Sequence, residues 1–393
     1  MNSQKLLILL CVCILALSSY AAPTTPKNPP PYSETETETL VPMQTTKPNS
    51  SPEPISEPPP ISTPIPTPMP TPEPTPVQIP EELYVDDIYH IFFHALIAFP
   101  EISYRNGSSP LDTDCVTVDE FKRCMEQLHA NGYALIAIEE TFEVLEDGTV
   151  KQRPVMVPAG KKPLILSVDD MVYDPNKMGT GMVDKLFLDE DGKIASYTKH
   201  RDGTEIISYD NEVIMVLENF IAVHPDFSIR GARGLLAMTG FAGVFGYRTD
   251  RLNANQQSEI ESAMPIAEAL RELGWTFGSH GYGHRHSADI SEGLFLDDTQ
   301  KWRNEVENMV GATQVYVYPY GQSVTAHGTK YNTMLDFGFK VMCGVSHKQE
   351  WVELGDGLYM SRIAVDGYSL RNYGQILEPL FDCKTVIDKE YRR

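Results

Sequence analysis

Positive charge is in short supply in this sequence: 32 Lys and Arg stand against 54 Asp and Glu, a formal net charge of −22 at pH 7. So acidic a chain is repelled by phosphodiester backbones and anionic lipid, which argues against nucleic acid and anionic membranes as partners. A neutral glycan is not excluded. Cysteine is also sparse, with 6 in 393 residues. Cys11 and Cys13 sit in an N-terminal apolar run without the small preceding residue of a lipidation site; Cys115, Cys124, Cys343 and Cys383 are left. The spacing of these four matches no zinc ribbon, so metal binding by thiolate is not expected. In an exported chain they allow three pairings, and spacing does not choose among them. The leading apolar run, Leu6 to Leu17, is too short to span a bilayer comfortably.

What is present begins with "MNSQKLLILLCVCILALSSYAAP", which combines a Lys, that apolar run, and small residues at Ser19 and Ala21. This is the layout of a secretory signal over residues 1–21, with a retained anchor as the competing reading. Residues 22–80 are Pro, Thr, Ser and Glu and hold most of the chain's 30 prolines. Such a segment buries too little apolar surface to fold and is expected to be an extended linker, reaching on the order of 150 Å in polyproline geometry. Residues 81–393 suffice for one large domain.

Within that domain, strand-like and helical patterns alternate. "IYHIFFHALIAF" (88–99) reads as a strand. A helix follows, opened by a capping box at Thr117 and Glu120, with Phe121, Met125 and Leu128 at helical spacing. "YALIAI" is the next strand. Asp-Gly steps in "LEDGTV" and "LDEDGKIASYTKHRDGTEIISY" predict hairpins, the second an insertion over about 184–210. Strands at 234–238, 275–280, 314–320 and 339–345 then alternate with helices at 211–223, 254–273, 296–310, 329–337 and 369–381. Strand then helix, repeated, argues an α/β fold with a parallel sheet, open or closed into a barrel, and chemistry at the carboxyl ends of its strands.

Three polar oddities fall at such ends. "LILSVDD" places Asp169 and Asp170 side by side after a buried-looking strand. Adjacent carboxylates there repel each other and lose hydration unless a cation offsets the loss. "SHGYGHRH" carries His280, His284 and His286, and a turn or one distorted helical turn can aim the first two at a common point. "VYPYG" fixes a turn around Tyr320. An aspartate with two neutral histidines is a ligand set suited to Zn²⁺ or another divalent transition ion such as Co²⁺ or Ni²⁺, with positions left for water and substrate. One aspartate can ligate while the other stays beside it as a base. Each motif has a bland counterpart: a capping Asp pair, exposed histidines, a plain turn.

Taken in order, "SVDDM", "HGYGH" and "YPYG" resemble the polysaccharide deacetylase family, the NodB-homology carbohydrate esterases, whose motifs are Thr-Phe-Asp-Asp-Gly, His-Ser/Thr-x-x-His and a third ending Pro-Tyr-Gly. The layout is similar over about 85–380, and "KKPLILSVDD" and "GLLAMTGFAGVFGYRT" look like a secreted bacterial branch. The resemblance implies a distorted (β/α) barrel with hairpin insertions. It also implies metal-dependent removal of acetyl groups from the amino sugars of a cell-wall or extracellular polysaccharide. In it Asp169 is the base, Asp170, His280 and His284 are the ligands, and the Tyr320 N–H helps hold the oxyanion. The protein is then expected to be bacterial, secreted or cell-surface, a monomer, and free of membrane insertion once the leader is cut.

The departures are specific. Val317 stands where the family often has an Arg; Arg362, in "MSRIAVDG", is the nearest substitute for steadying Asp169, with a surface salt bridge as its other reading. The family's late His, its usual general acid, has no counterpart in "ILEPLFDCKTVID". His347 and His327 are candidates for that role; His286 could serve or be solvated. His94 either lines the site or is a hydrogen-bonded core histidine. Ser167, Val168 and Met171 replace the Thr, Phe and Gly of the first motif. These changes motivate an alternative, a deacetylase fold that binds surface glycan with little or no turnover. Another metal hydrolase on a similar barrel is the third reading.

Overall fold

The structure, a computed structural model, describes residues 80–392 except positions 85 and 253. The expected leader (1–21) and nearly all of the expected linker (22–80) lie outside the described residues.

Seven apolar segments form parallel strands: β1 (Tyr89–His94), β2 (Lys162–Asp169), β3 (Leu235–Met238), β4 (Thr276–Ser279), β5 (Val315–Val317), β6 (Val341–Val345) and β7 (Leu358–Ala364). Each pairs with the next, and β7 pairs back with β1, so the sheet closes into the expected (β/α) barrel. Its distortion has a visible source. β4 and β5 share a single register pair, Ser279 with Tyr316, and β7 meets β1 only at Ile363–Ile91 and Ala364–Phe92. Towards the amino ends, Tyr133–Leu135 pairs with β2 and Trp351–Glu353 with β7. Each takes the strand edge that the neighbouring barrel strand takes only further along.

The helices α1 (Val118–Ala130), α2 (Val213–Val223), α3 (Gln256–Leu273), α4 (Glu292–Trp302) and α5 (Thr329–Asp336) surround the barrel. α1 starts at the capping box: the Glu120 N–H donates to Thr117 Oγ1 at 3.2 Å, and the Thr117 N–H to Glu120 Oε2 at 2.8 Å. Its Phe121, Cys124, Met125 and Leu128 are all fully buried, with Phe121 edge-on to Phe93 of β1 at 4.9 Å. Burial of a side chain this size stabilises by about 1.5–3 kcal/mol. Such contacts build the outer apolar layer. A second, inner layer fills the lower barrel with Ile165, Leu235, Val315, Val341 and Leu358.

Strand alternation places residues 90, 92 and 94 of β1 in register with 165, 167 and 169 of β2, on the inward face. β7 is a strand that the sequence pattern does not announce, because an inward-facing Arg362 interrupts its apolar alternation. The helix expected at 369–381 is instead broken into Gly367–Asn372 and Gly374–Leu377, where Gly374 and Pro379 weaken helical continuity. "LEDGTV" joins the hairpin strands Phe142–Val144 and Val150–Gln152. Residues 185–208 form a three-stranded antiparallel sheet of Lys185–Leu188, Ile194–Lys199 and Glu205–Ser208. Cys115, Cys124, Cys343 and Cys383 are all free and buried, so no disulfide ties the described residues. No helix among the described residues is long and apolar enough to cross a membrane.

Candidate active site

The site lies at the carboxyl ends of the barrel strands. β2 delivers Asp169 as its last residue, 2% exposed and facing inward. Asp170 then turns out of the strand with φ 61°, a left-handed conformation that Asp tolerates better than most residues. The turn separates the two carboxylates that sequence puts side by side. Asp170 Oδ1 is buried with no hydrogen-bond partner.

β4 delivers the histidines. His280 follows the strand, and its N–H donates to Met238 O at 2.9 Å. Its Nδ1 lies 2.9 Å from Val317 O. A carbonyl can only accept, so Nδ1 carries the proton and the Nε2 lone pair is left for another partner. The following loop is pinned by Asp298, which accepts from the Tyr282 and Gly283 N–H groups at 2.7 and 2.9 Å. A Cβ on Gly283 would stand 2.9 Å from that carboxylate, so glycine is required for the loop to close on it. His284 then takes φ 47°, and its Nε2 comes 3.6 Å from Asp170 Oδ2. His280 and His284 are therefore held by a loop, not a helix. One ligand atom each from Asp170, His280 and His284 lie within 4.8 Å of one another.

Beside this cluster, Arg362 of β7 clamps Asp169 with both Nη atoms, Nη1 to Oδ1 at 2.7 Å and Nη2 to Oδ2 at 2.9 Å. Arg362 is 1% exposed, and its guanidinium lies 4.2 Å over the Phe92 ring. Nη1 also donates to Ser167 Oγ at 3.1 Å, and Ser167 Oγ lies 3.0 Å from His90 Nε2. A buried polar chain thus runs from Asp169 down the barrel interior. Burial alone would raise the Asp169 pKa, but the Arg362 charge, then His280 and the Arg362 hydrogen bonds, hold it well below the usual carboxylate range. Burial pulls His284 down to about 4, against the raising influence of Asp170, so its imidazole is neutral at neutral pH. His90 is likewise held well below its ordinary value by burial and by Arg362.

Tyr320 sits at φ 58° in the Pro319–Gly321 turn, and no hydrogen bond occupies its N–H. Its ring is 57% exposed, stacked on His286 at 3.9 Å and 4.5 Å from His284. The exposed Phe241 ring lies 6.4 Å from His284.

The structure therefore brings Asp169, Asp170, His280, His284, Arg362 and Tyr320 together. It does not bring in His347, one of the candidate acids: that side chain is exposed and rests against Tyr373 at 4.2 Å. The loop after β6 carries it outward. His327 is also remote, facing Tyr331 and Asp356, and His286 is held by Gln322 and Tyr320. His94 of β1 is the histidine set level with Asp169 instead. Its Nδ1 is buried without a partner, unlike the hydrogen-bonded core histidine of the alternative reading. The signal in the sequence was parity: in "HIFFH" both histidines fall on the strand face that carries Ser167 and Asp169 on β2.

No protein-family model matches the sequence, and no curated protein does. Solved structures similar to this chain include polysaccharide deacetylases, a de-N-acetylase and a Bacillus anthracis pseudoenzyme of the same carbohydrate esterase family. A Streptococcus pyogenes deacetylase in complex with acetate is 14% identical with a TM-score of 0.43, over 72% of this chain and 93% of that one. A polysaccharide deacetylase from Bacillus cereus is 14% identical with a TM-score of 0.43, over 75% and 69%. A de-N-acetylase from Aggregatibacter actinomycetemcomitans is 11% identical with a TM-score of 0.43, over 75% and 100%. These are low identities and low TM-scores, so the roles assigned below rest on this chain's own side chains.

Proposed function

We propose that the chain is a metal-dependent deacetylase that removes acetyl groups from amino sugars of a cell-wall or extracellular polysaccharide. The observation that carries this reading is the convergence of Asp170, His280 and His284 at the barrel mouth beside an arginine-clamped Asp169. The donor set fits a divalent transition ion: a carboxylate with an orphaned buried oxygen, an imidazole whose tautomer frees Nε2, and a second imidazole kept neutral by burial. Zn²⁺ suits these ligands, and Co²⁺ or Ni²⁺ would also. When bound, such an ion supplies Lewis-acid polarisation of a carbonyl and a lowered pKa for water.

The chain's own groups supply the rest. Asp169, anionic because Arg362 outweighs burial, accepts a proton from water as the oxygen attacks the acetamide carbon. The free Tyr320 N–H donates to the oxyanion that develops on the carbonyl oxygen. His94 gives a proton to the departing amine nitrogen as the C–N bond breaks, leaving acetate and a free amino sugar. Exposed aromatic faces at Phe241 and Tyr320, on the approach to His284, offer platforms for sugar rings. The glycan-binding, non-catalytic alternative was motivated by two missing family residues. The Arg362 clamp on Asp169 and the register of His94 with Asp169 support turnover over that alternative. The leader-like and proline-rich segments support export and tethering at a bacterial cell surface.

The test is acetate release from acetylated glycans by purified protein supplied with Zn²⁺, Co²⁺ or Ni²⁺. The wild type should release acetate, Asp169→Asn should abolish release, and His94→Asn should lower kcat by about 10²-fold or more. No release from any acetylated glycan or activated acetate ester would overturn the proposal; cleavage of phosphoesters alone would point to another metal hydrolase.

A further inference from the structure

A cavity of about 320 Å³ lies beside the three-stranded insertion and is lined by Phe99, Arg105, Gly181, Thr198, His200 and Arg201, among others. It belongs to the same end of the barrel as the metal cluster. Phe99 follows His94 by five residues, which limits their separation to about 18 Å. The loop leaving Asp170 supplies Gly179, Gly181 and Met182, and the Phe99 N–H donates to Gly181 O at 2.9 Å. Gly181 is where those two segments touch. A Cβ there would stand 2.7 Å from Phe99 O and 2.8 Å from Ser103 Cβ.

The charge pattern sets this cavity apart. Among the described arginines, only Arg105, Arg201 and Arg251 have neither an ion pair nor a side-chain hydrogen bond, and the first two line this one cavity. In a protein of net charge −22, carboxylate partners are plentiful, yet these guanidinium groups have none. Lys199 lines the cavity too but is paired with Glu205 at 2.8 Å. The carboxylate at the rim, Asp202, is turned to its own hairpin, accepting from the Thr204 N–H at 2.9 Å. Deeper in, Thr198 is 3% exposed with Oγ1 unpartnered, and His200 Nε2 is buried and unpartnered. Both atoms can donate, Thr198 through its hydroxyl and His200 as the Nε2–H tautomer, so the pair suits a ligand with acceptor oxygens.

We propose that this cavity is a subsite for an anionic substituent, a carboxylate or phosphate, carried on the glycan whose acetamido group enters the barrel mouth. The proposal rests on the deacetylase reading and adds the substrate class: an acidic polysaccharide instead of a neutral one. Arg105 and Arg201 would donate to the anion's oxygens from the rim, and Thr198 and His200 would complete the floor.

The experiment compares full-length protein with the Arg105→Gln/Arg201→Gln double variant, neither position being part of the reaction machinery. Three probes are used: an N-acetylglucosamine pentamer, the pentamer phosphorylated at O6, and the pentamer oxidised to the uronate at C6. Binding is measured by calorimetry at low and high salt, and acetate release in parallel. Wild type should bind one acidic probe about tenfold more tightly than the neutral one at low salt, since two exposed charge pairs contribute modestly and are screened by salt. The preferred acidic probe identifies the substituent. The double variant should lose that preference while keeping its affinity and turnover on the neutral pentamer. Equal binding of all three probes by wild type, or a preference that survives in the variant, would overturn the subsite. Should no probe release acetate, the wider set of acetylated glycans and activated acetate esters decides the deacetylase reading, and the binding comparison still decides the subsite.

Discussion

Replacing Arg362 by methionine removes the guanidinium while keeping much of its volume, and it isolates the bidentate ion pair inside the barrel. Asp169 and Arg362 are 2% and 1% exposed and share two hydrogen bonds of 2.7 and 2.9 Å. Removing one partner strands a desolvated carboxylate, for which about 3–5 kcal/mol of lost stability is expected. The sign of the pH dependence follows. In the wild type, Asp169 titrates below its unfolded value, so the pair's stabilisation is present above about pH 4 and is lost as pH falls through the lower folded value. In Arg362→Met, the largest influence opposing burial is gone and only the smaller pull of neighbouring histidines remains, so the carboxyl rises and the variant loses stability relative to wild type as pH climbs above about 4. The deficit should therefore be large at pH 8 and smaller at pH 5. Urea unfolding with a chelator present measures it without a bound cation compensating the carboxylate. Adding Asp169→Asn should recover at least about 2 kcal/mol, because the stranded charge is gone. A single variant losing less than about 1 kcal/mol, or a double variant that merely sums the two singles within about 0.5 kcal/mol, refutes the reasoning. If Arg362→Met does not fold, refolding in the double variant reports the same coupling.

Other expectations follow from neighbouring groups. His284→Ala should cut divalent-ion affinity by more than about 100-fold, since loss of outer partners alone costs 10–100-fold; elemental analysis against wild type checks it. Ser167→Ala should lower kcat several-fold at unchanged KM and metal content by loosening Arg362, with Ser167→Thr restoring it; an equal loss in both variants would mean simple core damage. Glu212 is fully buried where it accepts from the Leu96 and Val213 N–H groups, and burial lifts its pKa to about 7. The folded state then holds a proton that the unfolded state has released, so stability falls as pH rises from about 4.5 to 7. Glu212→Gln should flatten that slope and raise the melting temperature at pH 8; an unchanged pH profile would count against the buried charge.

Much of the scaffold was legible because the signals were local. α1 was marked by the Thr117–Glu120 box and by Phe121, Met125 and Leu128, all within one segment of chain. Asp-Gly steps announced both hairpin regions. β7 was not announced, since its inward position 362 holds an arginine that only a carboxylate from β2 makes tolerable. The C-terminal helix failed where Gly374 and Pro379 outweighed an apolar pattern. His94 is hard to place from sequence because a strand histidine in an apolar run usually belongs to the core, and only the register of β1 on β2 sets it level with Asp169.

The sequence by itself determined which chemical groups the site could use: two adjacent carboxylates, paired histidines and a turn tyrosine, each placed by local pattern at the end of a strand. The tertiary structure decided which of them meet. Barrel closure sets β7 against β1 and β1 against β2, so Arg362 reaches Asp169 across 193 residues of chain and His94 stands in register with it. Those contacts depend on strand register and inward parity summed around a closed ring, properties that belong to the assembled sheet and to no single segment.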